Sequence, residues 1–314
     1  MKTLLEPGRY TCGFRQLASS RDNRVKQQER TMRLANYRGR ATIVIDGFAV
    51  DVHEASDGSL GSDSMLLSDL ANHAALRAIA GKVRASDYPP LDEAHLGAPV
   101  PRPPKGFGVA LNYRQHALES GRDLPTEPHL FGKMDNCVCG PFDEIVVPAG
   151  CTHVDYEAEL VIVFGRTCKG ATRENAWSFL SGVTAGQDIS DRAEQFRAPV
   201  KQFTIAKTYD TFGPIGPYLV TADELVDPDA LELEGRVSGE VMQHSNTSDL
   251  IFDVPALIVW LSRYITFHPG DLVWTGTPGG VGEARTPQRF LHAGDVVETE
   301  IEGIGTMRNP VVER

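Results

Sequence analysis

The sequence predicts an α+β chain in which β structure dominates: a small N-terminal α+β domain followed by a larger, β-rich domain. Three observations predict it. Short β-type apolar runs recur through the second two-thirds of the chain, while long stretches of helical periodicity do not. Strands and helices do not alternate in the order that builds a doubly wound parallel sheet. Between the two parts lies a cluster of prolines, Pro99, Pro101, Pro103 and Pro104, and proline, which fixes φ and donates no main-chain hydrogen bond, makes a stiff connector. The division expected is residues 1–31 as a flexible extension, 32–100 as the small domain and 101–314 as the large one.

Residues 1–31 are polar and Arg-rich with no hydrophobic period, and structured sequence begins at Met32. Residues 41–50 read as two strands around the turn Asp46-Gly47. Residues 64–82 carry Leu66, Leu67, Leu70, Ala74, Leu76 and Ile79, an amphipathic helical pattern. Beyond the prolines, residues 144–147, 160–164, 271–275 and 296–301 read as strands, and 254–264 as a helix with Pro255 in its first turn.

Hydrophobic residues make up 41% and charged residues 23% of the 314, which places the chain among globular proteins and argues against wholesale disorder. No apolar run reaches the roughly 18 residues that span a bilayer. With 42 acidic against 31 basic residues, the net charge of −11 repels nucleic acid and anionic membrane alike. An acidic protein that binds an anionic substrate needs local positive charge, which a metal ion supplies. The five cysteines are odd in number and scattered. With no signal peptide recognised, they are expected to be free thiols in a reducing, cytoplasmic compartment. The pair in Cys137-Val138-Cys139 lacks partners at zinc-site spacing.

In Asp155-Tyr156-Glu157-Ala158-Glu159 the acids precede an apolar strand. Alternation puts Glu157 and Glu159 on one face, with Asp155 joining them if the strand extends that far. Carboxylates this close repel unless protonated, solvated or neutralised, and all-oxygen donors suit Mg2+, with Mn2+ as a substitute. Asp188 closes the short run 182–186 and can complete the cluster. Spacing alone equally allows a solvent-facing acidic strand end. His116 and Glu119 stand three apart on a short helix expected over 113–120, where Asn112 and Gln115 resemble a capping box. Such a dyad can move protons, though an idle surface pair has the same spacing. The loop Thr275-Gly276-Thr277-Pro278-Gly279-Gly280 lacks the Gly-Lys-Ser/Thr of a phosphate loop. It reads either as a tight turn or as a carboxylate pocket made by main-chain N–H groups, as at Gly276, and the Thr277 hydroxyl.

Six segments resemble the fumarylacetoacetate hydrolase family, in its order and spacing. They are Leu111-Asn112-Tyr113 with His116 and Glu119, Asp155-Tyr156-Glu157-Ala158-Glu159-Leu160, and Gln187-Asp188-Ile189-Ser190-Asp191-Arg192. Lys207-Thr208-Tyr209-Asp210-Thr211-Phe212-Gly213-Pro214, Met242-Gln243-His244-Ser245-Asn246-Thr247 and Thr275-Gly276-Thr277-Pro278-Gly279-Gly280-Val281-Gly282 complete the set. The match is to the smaller members, which include acylpyruvate hydrolases, oxaloacetate decarboxylases and isomerases of aromatic catabolism. An upstream aspartate ligand of the founding hydrolase is replaced here by Val109, as in those members, and Ser238 stands where relatives often read Val-Asn-Gly.

The resemblance implies a mixed β-sandwich roll for the large domain, a homodimer, and Glu157, Glu159 and Asp188 as metal ligands. It implies His116 with Glu119 as the proton-transfer dyad, Lys207 as a cation facing substrate and Gln195 as a substrate contact, with Arg192 in the same stretch. Arg114 and Arg122, near the dyad, are candidates to meet a second carboxylate. The expected chemistry is C–C hydrolysis of a small 2,4-dioxo acid through an enolate. Decarboxylation or isomerisation of a 2-oxo dicarboxylic acid is the alternative on the same site, and a non-catalytic binding protein the alternative of another class.

Overall fold

A computed structural model describes residues 32–119, 121–197 and 199–314. The expected extension over residues 1–31 lies outside the described residues, as does Cys12.

The main sheet is mixed and has 11 strands among the described residues. Its spine runs Phe48–Asp51, Arg40–Ile45, Arg33–Tyr37, Gly213–Val220, Leu180–Gln187, Ala158–Phe164, Leu272–Trp274, Gly106–Ala110 and His129–Lys133. Neighbours are antiparallel except Leu272–Trp274 beside Gly106–Ala110. A second sheet orders Glu240–Asn246, Glu232–Val237, Val296–Ile301, Gly305–Glu313 and Ile145–Val147.

The strand Ala158–Phe164 is buried along its whole length, which follows from its unbroken apolar sequence and from cores on both faces. Leu160, Ile162 and Phe164 point into one core, shared with Leu233 and Met307 of the second sheet and with Leu257 and Leu261 of the helix Val254–Tyr264. Val161 and Val163 point into the other, shared with Leu34, Ile43 and Leu76. The segment expected as a small N-terminal domain supplies this second core and the strand edge. Arg33–Tyr37 pairs directly with Gly213–Val220, so residues 32–100 continue the main sheet across the proline connector.

The helix Val254–Tyr264 begins where Asp253 accepts from the Ala256 N–H, with proline in its first turn. The hairpin at Asp46-Gly47 has both residues at positive φ, 51° and 81°, the conformation that a tight two-residue hairpin needs. The helix expected over residues 64–82 is two elements, a 3-10 turn Ser64–Ser68 and an α-helix Leu70–Lys82. Asp63 and Asp69 each accept main-chain N–H groups two residues on; the Asp69 cap starts a new helix inside the apolar period.

Candidate metal centre and active site

The site grows from one strand register. Ala158 pairs with Gln187, which sets Glu157 beside Asp188: the Asp188 N–H donates to the Glu157 carbonyl at 2.9 Å and the Glu157 N–H to Gln187 Oε1 at 2.8 Å. Glu159 lies two residues on, inside the strand Ala158–Phe164. Its Oε2 accepts the Gly276 N–H at 2.7 Å. One oxygen from each of Glu157, Glu159 and Asp188 lies within 4.8 Å of the others, and all three residues are buried.

Asp155 does not join them. The chain leaves strand geometry between Val154–Asp155 and Ala158–Phe164, so alternation does not carry back to it. Asp155 instead accepts the Gly282 and Glu283 N–H groups at 2.7 and 3.0 Å and Arg192 Nε at 2.8 Å, bracing the loop that follows the glycine-rich segment.

Three buried cations meet the acids. Lys207 Nζ donates to Glu157 Oε2, Asp188 Oδ2 and Ser190 Oγ, each at 2.7 Å. Arg192 Nη2 donates to Glu157 Oε1 at 2.6 Å and Nη1 to Gln195 Oε1 at 3.0 Å. Lys133 Nζ donates to Asp188 Oδ1 at 2.6 Å. Four carboxylates counting Asp155 thus face three cations, and one negative charge is left over. Burial alone would raise the Glu157 carboxyl, but Lys207 and Arg192 override it and hold it at about 2. Glu159 goes the other way: burial, Asp188 and Glu157 push it well above the usual carboxylate range, and Lys207 and the Gly276 N–H offset only part of this. An under-neutralised set of oxygen donors, with no His or Cys among them, fits a hard divalent ion such as Mg2+ or Mn2+ and not a zinc cage.

His116 and Glu119 share the short helix Arg114–Glu119. Asn112 does not cap it. Its amide donates to the Phe252 and Thr275 carbonyls, tying the helix to the glycine-rich loop, while Asp249 from a distant segment accepts the Gln115 N–H. His116 Nδ1 stands 3.5 Å from Glu119 Oε2, beyond a good hydrogen bond, and Nδ1 has no other partner. Glu119 is held by the Gly280 N–H at 3.0 and 3.2 Å. Gly280 sits at φ +99°, and a Cβ there would meet the Met242 carbonyl oxygen at 2.1 Å, so no other residue lets the loop approach.

Burial lowers the His116 imidazole below its ordinary value, with Glu157 and Glu119 pulling the other way. At neutral pH the ring is therefore uncharged and ready to accept a proton. Protonation is what stops it, so the acid limb of kcat/KM is expected to fall below the ordinary histidine value of about 6.5. A pH profile of kcat/KM checks this; an acid limb at or above that value would contradict it.

A cavity of about 90 Å3 joins these groups, lined by His116, Glu157, Glu159, Asp188, Gln195 and Lys207 among others. Arg192 takes Gln195 Oε1, so hydrogen-bond logic leaves the Gln195 amide NH2 as a donor. Thr277 lines the cavity, but its hydroxyl donates to the Ala158 carbonyl at 3.0 Å and accepts from Gln243 Nε2 at 2.8 Å. The Thr277 hydroxyl hydrogen is therefore engaged by Ala158, and one lone pair on its oxygen is left over. The Gly276 N–H is likewise spent on Glu159, and Gly276 positions that acid instead of lining the cavity. Arg114 donates to the Asp249 and Leu250 carbonyls, whereas Arg122 does line the cavity. Ser238 sits at the turn between Glu232–Val237 and Glu240–Asn246, bound to Asp295.

Sequence reasoning missed Lys133 and Gln243. Nothing local marks Lys133, whose partners are 55 to 79 residues away. Gln243 lies in a family-like segment and couples Ala158 to Thr277, accepting the Ala158 N–H at 2.9 Å.

The model for the C-terminal domain of fumarylacetoacetate (FAA) hydrolase matches residues 105–312. The human protein named oxaloacetate tautomerase FAHD2A, mitochondrial, is 42% identical over 236 residues, which are 74% of this chain and 75% of that one. A fumarylacetoacetate hydrolase from psychrophilic Exiguobacterium antarcticum superposes with a TM-score of 0.76 at 33% identity, covering 90% of this chain and 100% of that one. Maleylpyruvate hydrolase from Sphingobium sp. SYK-6, in complex with manganese(II) and pyruvate, gives 0.75 at 30% identity, covering 90% and 99%.

Proposed function

The chain belongs to the fumarylacetoacetate hydrolase family, and on that premise we propose that it hydrolyses a C–C bond in a small 2,4-dioxo acid of the acylpyruvate or fumarylpyruvate type. One observation carries the proposal: the buried carboxylates, His116 and Lys207 open into a single small cavity. A hard dication, Mg2+ or Mn2+, bound by Glu157, Glu159 and Asp188 supplies Lewis acidity to the 2-oxo group and favours the enolate.

The chain's own residues do the rest. His116 is neutral and turns Nδ1 toward Glu119, so the proton is assigned to Nδ1 and Nε2 is the base. Nε2 takes a proton from water as its oxygen adds to the C4 carbonyl. Glu119, fixed by Gly280, faces the imidazolium that forms and stabilises it. The C3–C4 bond then breaks, its electron pair becomes the enolate of the 2-oxo acid, and His116 returns the proton to C3. A carboxylic acid and a 2-oxo acid leave. Lys207, held by Glu157, Asp188 and Ser190, is a fixed positive charge beside the oxygen on which negative charge grows. The Gln195 amide donates to a substrate oxygen.

A second reading is keto–enol tautomerisation of an oxaloacetate-type acid, which uses the same proton shuttle without added water. One observation favours it: the name of the human relative. Assays of acetylpyruvate, fumarylpyruvate and enol-oxaloacetate with Mg2+ or Mn2+ divide the two. Acylpyruvate cleavage with release of pyruvate is the expected result; tautomerisation or decarboxylation of oxaloacetate alone would reject the hydrolase reading. We also read the protein as a homodimer, which analytical ultracentrifugation checks.

A further inference from the structure

Lys133 ends the strand His129–Lys133, and its side chain is 0% exposed. Its ammonium donates to Asp188 Oδ1 at 2.6 Å, to the Lys207 carbonyl at 2.9 Å and to the Phe212 carbonyl at 3.3 Å, and lies 5.1 Å from the Trp274 ring centroid. All three N–H bonds are used, so the group has none to offer a ligand, and the steps above do not employ it. Packing alone does not account for it either. A buried ion pair is often no more stable than apolar residues of the same volume, and a methionine would fill this space without a charge.

What the charge does is restrict its two neighbours. Asp188 has two oxygens, and with Oδ1 held by Lys133 it turns Oδ2 toward Glu157 and Lys207. The Lys207 carbonyl is held by the same ammonium, which fixes where that side chain starts. We propose that Lys133 is a positioning residue: it limits Asp188 to one oxygen toward the bound dication, anchors Lys207, and keeps the site electropositive enough to favour an enolate. This rests on the reading of Glu157, Glu159 and Asp188 as a metal centre.

The proposal separates affinity from rate. A positive charge one carboxylate away repels a dication, so Lys133 weakens metal binding while it supports turnover. In Lys133→Met the second Asp188 oxygen, Oδ1, is released to the cation and one repelling charge is gone. Mn2+ titrated alone into the cation-stripped full chain is then expected to bind with the wild-type Kd or a lower one. The kcat is expected to fall at least tenfold with KM little changed. A merely structural role would weaken Mn2+ binding and lower kcat together. Lys133→Gln, which restores a donor without the charge, carries the same test should the methionine variant not fold. A kcat within twofold of wild type, or a Kd raised in step with the loss of kcat, would overturn the proposal alone. Wild-type protein that takes up no Mn2+ would overturn the metal reading and this inference with it.

Discussion

Glu159→Gln is expected to lower turnover by about three orders of magnitude, since a Lewis acid contributes several kcal/mol and each ~1.4 kcal/mol is tenfold in rate. The fold should survive. Glutamine has the same shape, its amide oxygen can still accept the Gly276 N–H that Glu159 accepts at 2.7 Å, and among the described residues no cation bonds directly to Glu159 that would be left without it. Burial and the charges of Asp188 and Glu157 already push this carboxyl well above the usual range, so removing its charge relieves repulsion. The thermal midpoint without added metal should therefore be at least that of the wild type, while Mn2+ affinity falls steeply. Glu157 makes a poorer probe. Lys207 and Arg192 bond to its two oxygens, and a variant without it takes one carboxylate from each of these buried cations, leaving Lys207 with Asp188 and Arg192 with Asp155, a destabilising change. Lost activity there would not be separable from lost structure. Kinetics, melting and Mn2+ titration of Glu159→Gln decide the matter; Mg2+-stimulated turnover near wild type would contradict the assignment.

His116→Ala is expected to reduce kcat by about 10²- to 10⁴-fold, the usual contribution of a positioned acid–base group. Its Mn2+ affinity should stay within twofold of wild type, because the oxygen cluster contains no histidine. The contrast with Glu159→Gln assigns the two residues to separate tasks, proton transfer and cation binding. Isothermal titration and steady-state kinetics on the same preparation measure both. A His116→Ala enzyme turning over at nearly the wild-type rate would reject the dyad, whatever the fold.

The parts of this molecule that could be read from its sequence are those fixed by local chemistry. The helix Val254–Tyr264 was legible because its cap, its early proline and its apolar face lie within a dozen residues. The meeting of Glu157 and Glu159 was legible because the two stand close in sequence at the start of one apolar strand. Asp188 was not placed by spacing. It meets the other two acids through the cross-strand register of Ala158 and Gln187; its place at a strand end only allowed it to complete the cluster, and the family resemblance made it a ligand. The capping-box reading of Asn112 failed because its side-chain oxygen is claimed by the Phe252 N–H, a partner that no neighbouring residue announces. The hydrogen bonds of the Thr277 hydroxyl were not legible for the same reason: Ala158 and Gln243 are far along the chain. Lys133 left no trace at all, since a lysine at a strand end is ordinarily solvated and its burial is a property of the assembled sheet.

The central claim is that a hard dication gathers at Glu157, Glu159 and Asp188 and that turnover requires it. Its most direct test is turnover of the wild-type protein after EDTA stripping and again after Mg2+ or Mn2+ is restored. Activity should vanish on stripping and return with either ion; full turnover in the presence of chelator would contradict the account.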